Sequence, residues 1–289
     1  MDHLTTSANG LTFAYLEDGP ADGPLALCLH GFPDSAHTWR HLLPELAGAG
    51  FHAVAPFLRG YAPTDIPADG RYQIGAVVAD VTALHEVLGG QDDAVLIGHD
   101  WGALATYAAV AHQPERWHRA VTMAVAPTAS IMGSFFTFSQ LQRSWYSFFF
   151  QSPLADIALP MDDFVFLDRL WADWSPGYDA SFDLARVKEA IGDPDHIVAA
   201  IGYYRALYNG ELHSPDLAEE QAAAMLPMPI PTMYLHGRDD GCFLLDSIGD
   251  PLQFLAQGSE MVVVDRAGHF LNVEQPEEVN RFVLDFIER

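Results

Sequence analysis

Short runs of consecutive apolar residues alternate along this chain with longer stretches whose apolar positions recur at helical spacing, and the rhythm breaks once, near the middle. Apolar runs of this length, bounded by turn residues, are strands buried on both faces, the pattern of a parallel sheet with helices on either side. Residues 11–16, after the turn pair Asn9-Gly10, read as an outer hairpin strand. Residues 25–29, 51–55, 94–97 and 120–125 read as inner strands, and 38–47, 74–88 and 103–111 as the helices between them. After Pro127 the alternation stops. It resumes with a strand at 230–235, a helix near 244–255, a strand at 261–264 and a last helix from Pro276. The fold class is therefore α/β with a mostly parallel sheet. The interrupting stretch is rich in Phe, Trp and Tyr and reads helically. It divides the chain into a core at 1–128, a helical cap at 129–222 and the rest of the core at 223–289. Such an insertion is placed to cover the C-terminal ends of the strands, where open α/β sheets bind ligands. No internal repeat is apparent.

Charge narrows the partners. The 289 residues carry 39 acidic against 14 basic side chains, a formal net charge of -25. This argues against nucleic acid and against anionic membranes as partners, and is read as solubility or adaptation to salt. Two cysteines, Cys28 and Cys242, make no disulfide framework and fit a reducing cytosol. The start, Met1-Asp2-His3-Leu4-Thr5, has neither a basic nor an apolar leader region, so a cytoplasmic location is expected. Residues 131–150 are greasy, yet Gln140, Gln142 and Arg143 make them too polar for a membrane span. They are expected to line a buried cleft. No Cys/His cluster has the spacing of a metal site, and neither a metal nor another cofactor is expected. The oligomeric state is left open between monomer and homodimer.

The chemistry starts at Gly98-His99-Asp100-Trp101-Gly102. An apolar strand leads into this segment and an Ala-rich helix leads out, the strand–turn–helix context of a nucleophile elbow. The residue at its centre is a carboxylate. Asp100 cannot form an acyl-enzyme as a hydroxyl would, but it can attack an electrophilic carbon and become an ester. His30-Gly31-Phe32-Pro33 follows the first inner strand. Its Gly lets the backbone approach a ligand, the Phe32 amide can face developing negative charge, and Phe32-Pro33 is a candidate cis peptide. The amide of Trp101, at the start of the next helix, is the natural second donor. His269, just past the strand at 261–264, is the leading general base among 13 histidines. His30 and His99 are expected to hold loops, and His37, His41, His52, His85 and His112 to be structural or solvated. The turn His236-Gly237-Arg238-Asp239-Asp240 supplies an acid to orient the imidazole. Asp240 is favoured, three residues beyond the Gly, with Asp239 as the alternative.

These segments together resemble the α/β-hydrolase superfamily, and within it the epoxide hydrolases. The resemblance runs along nearly the whole chain and includes the turn Arg59-Gly60-Tyr61. One position departs: Phe57 stands where the family often has an Asp before that turn. The resemblance implies an eight-stranded, mostly parallel sheet with helices on both faces and an inserted helical cap. It also implies conversion of a small apolar epoxide and water to a vicinal diol through an ester on Asp100. Family epoxide hydrolases protonate the ring oxygen with two cap tyrosines. Tyr146, ahead of the Phe-Gln pair Phe150-Gln151, and Tyr204, ahead of Arg205, stand at the matching places, with Tyr203 as an alternative one residue away. The aromatic residues Phe135, Phe136, Phe138, Phe148 and Phe149 suggest an apolar substrate or a cap core.

Two other readings are open. A haloalkane dehalogenase uses the same Asp-His-Asp set and needs donors for departing halide, for which Trp101, Trp145, Trp171 and Trp174 are available. Such enzymes typically carry Asn where Phe32 stands, and fluoroacetate dehalogenases want arginines where Trp101 and Leu104 stand. A non-catalytic binder of small apolar ligands would be marked by loss of a triad member, and none is lost.

Overall fold

The computed structural model of the chain describes residues 3–289. Met1 and Asp2 lie outside the described residues. Eight strands form one sheet: β1 (Leu4–Ala8), β2 (Leu11–Asp18), β3 (Leu25–Leu29), β4 (His52–Pro56), β5 (Ala94–His99), β6 (Trp117–Met123), β7 (Thr232–Gly237) and β8 (Glu260–Val264). Their spatial order is β1-β2-β4-β3-β5-β6-β7-β8. β2 runs antiparallel to β1 and to β4, and every other pairing is parallel. The inner strands β3 to β7 are almost wholly buried, which explains why each reads as a continuous apolar run. β1 was missed because Leu4-Thr5-Thr6-Ser7 is mostly polar, as suits an edge strand facing water.

Two expected helices are replaced by shorter pieces. Residues 38–47 divide into a 3-10 turn at Ala36–Trp39 and a helix at Leu43–Gly48, with Pro44 in its first turn, where the missing N–H costs nothing. Residues 244–255 form two 3-10 turns, Leu245–Ser247 and Pro251–Phe254. Between them Gly249 takes a positive φ of 68° and Pro251 follows, so no helix can run through. The helices Ile74–Val87, Trp101–His112 and Pro276–Ile287 match their expected spans closely.

Residues 129–222 contain helices and no strand, as their sequence suggested. The longest are Met161–Trp174, Ser181–Ile191 and Pro194–Tyr208. The last helix of the stretch, Ala218–Ala223, packs on the sheet-flanking helices Ile74–Val87 and Trp101–His112, so the part lying over the strand ends closes before it. The greasy stretch at 131–150 faces two ways. Gln140, Tyr146, Ser147 and Phe150 are buried, whereas Phe136, Phe138, Trp145 and Phe148 are exposed. Phe136 and Phe138 are thus neither cap core nor site lining. Among the described residues no helix is long and apolar enough to cross a membrane.

The sheet brings β5 against β3 and β6, with Gly98 level with Leu29 and Thr122. The helix Trp101–His112 turns back across this point. A Cβ on Gly98 would lie 2.1 Å from the Gly102 carbonyl oxygen and 2.4 Å from Thr106 Oγ1. Gly98→Ala is therefore expected to cost about 2–3 kcal/mol of stability by overpacking. Urea unfolding measures this, and an unchanged midpoint would mean that the helix start has room to move.

Candidate active site

Asp100 follows β5 directly and precedes the helix Trp101–His112, with φ 51° and ψ -114°. A non-glycine residue in that conformation is strained, and neighbouring structure must hold it there. The turn lifts the carboxylate above the C-terminal edge of the sheet. There the Phe32 N–H donates to Asp100 Oδ1 at 2.7 Å. Gly31 permits this approach, since a Cβ on it would fall 2.3 Å from the same oxygen. The Phe32-Pro33 bond is cis. Trp101 opens the helix, where the first N–H groups have no intrahelical acceptor. Thus one backbone donor meets the carboxylate, and the Trp101 N–H follows it at the start of the helix.

His269 stands beyond β8 and is completely buried. Its Nδ1 lies 3.0 Å from Asp240 Oδ2, and its Nε2, with no hydrogen-bond partner, is 3.6 Å from Asp100 Oδ2. Asp240 Oδ1 accepts the Cys242 and Phe243 amides at 2.7 and 2.9 Å. Asp239 is exposed and points away, so the geometry selects Asp240 as the imidazole's partner. Two supports come from elsewhere. The Trp174 carbonyl, at the end of the helix Met161–Trp174, accepts both the Gly241 and the His269 N–H at 3.0 Å. The Glu274 carboxylate accepts the Gly268 N–H and, at 2.6 Å, the Ser175 hydroxyl, whose oxygen accepts the Phe270 N–H.

Burial disfavours the charged form of His269, but the Asp240 and Asp100 carboxylates outweigh it and raise its pKa to about 10. Asp240 is also pushed up by burial, yet ends below the usual carboxylate range because His269 and the two amides stabilise its charge. Burial lowers His30 and His99 to about 4, so both are neutral. His30 is spent between loops: one nitrogen meets the Gly31 carbonyl at 2.9 Å and the other accepts the Leu58 N–H at 3.0 Å. His99 Nε2 lies 2.8 Å from the His269 carbonyl. Its Nδ1 faces Asp34 Oδ2 at 3.8 Å, and burial pushes the Asp34 carboxyl well above its ordinary range. His52 and His85 serve structural contacts, to Glu17 and to the Gln91 carbonyl.

The tyrosines close over this set. Tyr204 packs edge-on against Trp101 at 5.0 Å and Phe32 at 5.3 Å between ring centroids. Tyr146 lies 5.6 Å from Tyr204 and 4.9 Å from Trp174, which in turn packs on His269. Tyr204 Oη is buried with no hydrogen-bond partner, and Tyr146 Oη meets only the Cys242 sulfur, at 3.3 Å. Tyr203 is spent, donating to the Arg59 carbonyl at 3.0 Å. Burial raises both Tyr146 and Tyr204 well above the ordinary phenol range, so both hydroxyls keep their protons.

Sequence reasoning missed Cys242, Gln140 and Asp34 as parts of the site, and offered Trp174 only as a halide donor. Gln140 had been noticed only for its polarity. Fully buried, it donates to the Cys242 carbonyl at 2.8 Å and accepts the Leu244 N–H at 3.1 Å. A buried-run glutamine was the available signal. Cys242 and Asp34 sit one or two residues from motif positions, close enough to be asked about. Phe57, the residue that departs from the family pattern, is buried against His37 rather than in the site.

The sheet order, the elbow and the strand-end loops define an α/β hydrolase architecture. The chain belongs to the α/β hydrolase fold family, whose family model matches residues 24–276. It is 28% identical over 287 residues to the AB hydrolase superfamily protein YfhM of Bacillus subtilis, covering 98% of this chain and 96% of the relative. It is 29% identical to epoxide hydrolase 3 of Xenopus tropicalis, over 99% of this chain and 77% of that protein. Among solved structures, the Bacillus megaterium epoxide hydrolase in complex with an inhibitor matches with a TM-score of 0.84 at 25% identity, covering 99% of this chain and all of that one (100%).

The raised His269 pKa has a consequence for stability. A group whose pKa is raised on folding contributes stability that is complete below its unfolded value, roughly 6.5, and is lost as pH rises through its folded value. Wild-type stability is therefore expected to fall between pH about 6.5 and about 10 by a component that His269→Gln lacks. Denaturant midpoints measured across that range check this, and parallel curves for the two proteins would refute it.

Proposed function

We propose that the protein is an epoxide hydrolase that forms an ester on Asp100. One observation carries the reading: two buried tyrosine hydroxyls, one free and one held only by a thiol, close over the wall shared with Asp100 and His269. Opening an epoxide creates an alkoxide that stays on the substrate, and it needs a proton donor. The likeness in sequence and structure to proteins named epoxide hydrolases supports the same reading.

In this scheme the carboxylate oxygens divide the work. Oδ1 stays with the Phe32 amide and Oδ2, free of backbone donors, attacks carbon. As the ring C–O bond breaks, Tyr146, with Tyr204 alongside, gives its proton to the leaving oxygen. The product is a hydroxyalkyl ester and a tyrosinate. Esterification removes one of the two charges that keep His269 protonated, so the imidazole gives up its proton, which balances the tyrosinate through solvent. Neutral His269, oriented by Asp240, then takes a proton from water as the water attacks the ester carbonyl carbon. The amides of Phe32 and Trp101 hold the oxyanion on Oδ1, worth roughly 3–4 kcal/mol per donor in comparable sites. The Cγ–Oδ2 bond then breaks and the remaining water proton passes to the departing oxygen, so the diol leaves with the original Oδ2 and Asp100 is again a carboxylate that keeps an oxygen from water.

A halide-releasing reaction is less well served. Trp171 Nε1 already donates to the Pro33 carbonyl at 2.8 Å, and Trp145 faces outward. Neither is free to bind a departing halide, which leaves Trp101 and Trp174 of the four tryptophans for that role.

A single turnover in heavy-oxygen water should place one labelled oxygen in the Asp100 peptide. A labelled diol beside an unlabelled peptide would sink the ester mechanism. His269→Gln should accumulate the ester with an epoxide, detected by mass, since alkylation survives and hydrolysis stops. Tyr146→Phe combined with Tyr204→Phe should lower epoxide opening by about a thousandfold or more, in the range expected for losing acid catalysis. Epoxide turnover retained at the wild-type rate would remove the tyrosines from the scheme.

A further inference from the structure

The contact between Cys242 and Tyr146 is unused by the scheme above. Cys242 is almost fully buried two residues after Asp240, and its backbone is pinned on both sides: its N–H donates to Asp240 Oδ1 at 2.7 Å and its carbonyl accepts Gln140 Nε2 at 2.8 Å. The pinned backbone fixes Cβ, and burial leaves the sulfur little room around it. Sγ sits 3.3 Å from Tyr146 Oη, the only polar partner of that hydroxyl among the described residues. The neighbouring Tyr204 Oη is buried and donates to no acceptor among the described residues, with the Trp101 indole beside it and the Tyr146 ring 5.6 Å away between centroids.

We propose that Cys242 is a positioning residue for ring opening: its S–H donates to Tyr146 Oη as that oxygen hands its proton to the epoxide. This rests on the epoxide reading of the site. Before reaction the sulfur is a weak acceptor, so it orients the Tyr146 O–H without holding it against transfer. As the phenol O–H breaks, negative charge grows on Oη, and a rotatable S–H then faces an anionic acceptor. Hydrogen bonds to charged groups are the stronger kind. An ordinary thiol is more acidic than a phenol, so it is a competent donor to a tyrosinate. Burial among Asp240 and Asp100 pushes the thiol up and keeps it protonated. A protonated thiol is a poor nucleophile, so Cys242 does not compete with Asp100 for the substrate. The proton that Tyr146 gives up goes to the substrate oxygen. The S–H proton stays on sulfur throughout.

The test separates the two steps by stopped-flow tryptophan fluorescence, with styrene oxide, trans-stilbene oxide and 1,2-epoxyoctane as probes. Cys242→Ala should slow ester formation about tenfold, the size expected for losing a hydrogen bond to a charged group. Ester hydrolysis should stay within about twofold of wild type, because the Asp240 contact is made by the backbone of residue 242. Cys242→Ser keeps a donor of similar shape and should restore ester formation to within about threefold. In a Tyr146→Phe background Cys242→Ala should add less than about twofold, since the acceptor is gone. Equal slowing of both steps, failure of Cys242→Ser to rescue, or an undiminished effect in the Tyr146→Phe background would each overturn the proposal. Wild type that forms no ester with any of the three probes would overturn the epoxide reading, and this proposal with it.

Discussion

Everything above the C-terminal edge of the sheet depends on keeping the Asp240 carboxylate charged without water. A buried anion is tolerable only when every lone pair is answered. Here one oxygen takes two amides of its own turn and the other faces His269 Nδ1. That requirement fixes the loop after β7 to the loop after β8, and through His269 to the elbow after β5. The inserted helices are then attached to the same place. The Trp174 carbonyl accepts an N–H from each of the two loops, and Gln140 grips the backbone at 242 and 244. One buried charge thus sets the position of three loops and two cap segments.

The elbow was legible because its signal is local. Glycines two residues either side of Asp100, an apolar run before and an Ala-rich run after, are all contained in a few adjacent residues. Asp240 was preferred to Asp239 on a local signal too, its place three residues beyond Gly237, and only the contact with His269 decides between them. The sheet was legible because buried parallel strands leave unbroken apolar runs, whereas β1, mixed in polarity at the edge, left none. What was not legible depends on long-range contact. Gln140 meets Cys242 across 102 positions and Tyr146 meets it across 96, and nothing local to either residue points to the other. The direction of the aromatic cap residues was also hidden. The helix at Phe138–Arg143 buries Gln140 and exposes Phe138, the reverse of what polarity suggests, so Phe138 and Phe150 read alike although one is exposed and the other buried.

The pair of tyrosines shows how burial can serve chemistry. The low-polarity surroundings that make an ionised phenol costly also keep both hydroxyls protonated and ready to donate. The same surroundings let the carboxylates raise His269, so in the proposed scheme it responds strongly when Asp100 loses its charge. A wetter site would screen these charges and flatten the response.

The shared carbonyl of Trp174 has a mechanical consequence. Because it is tied to both Gly241 and His269, the cap cannot lift from that end without pulling the histidine out of line with its acid. The tied end acts as an anchor, and Gln140, bound to the backbone at 242 and 244, fixes a second point beside it. The inserted helices therefore brace the reacting groups from above as the sheet does from below.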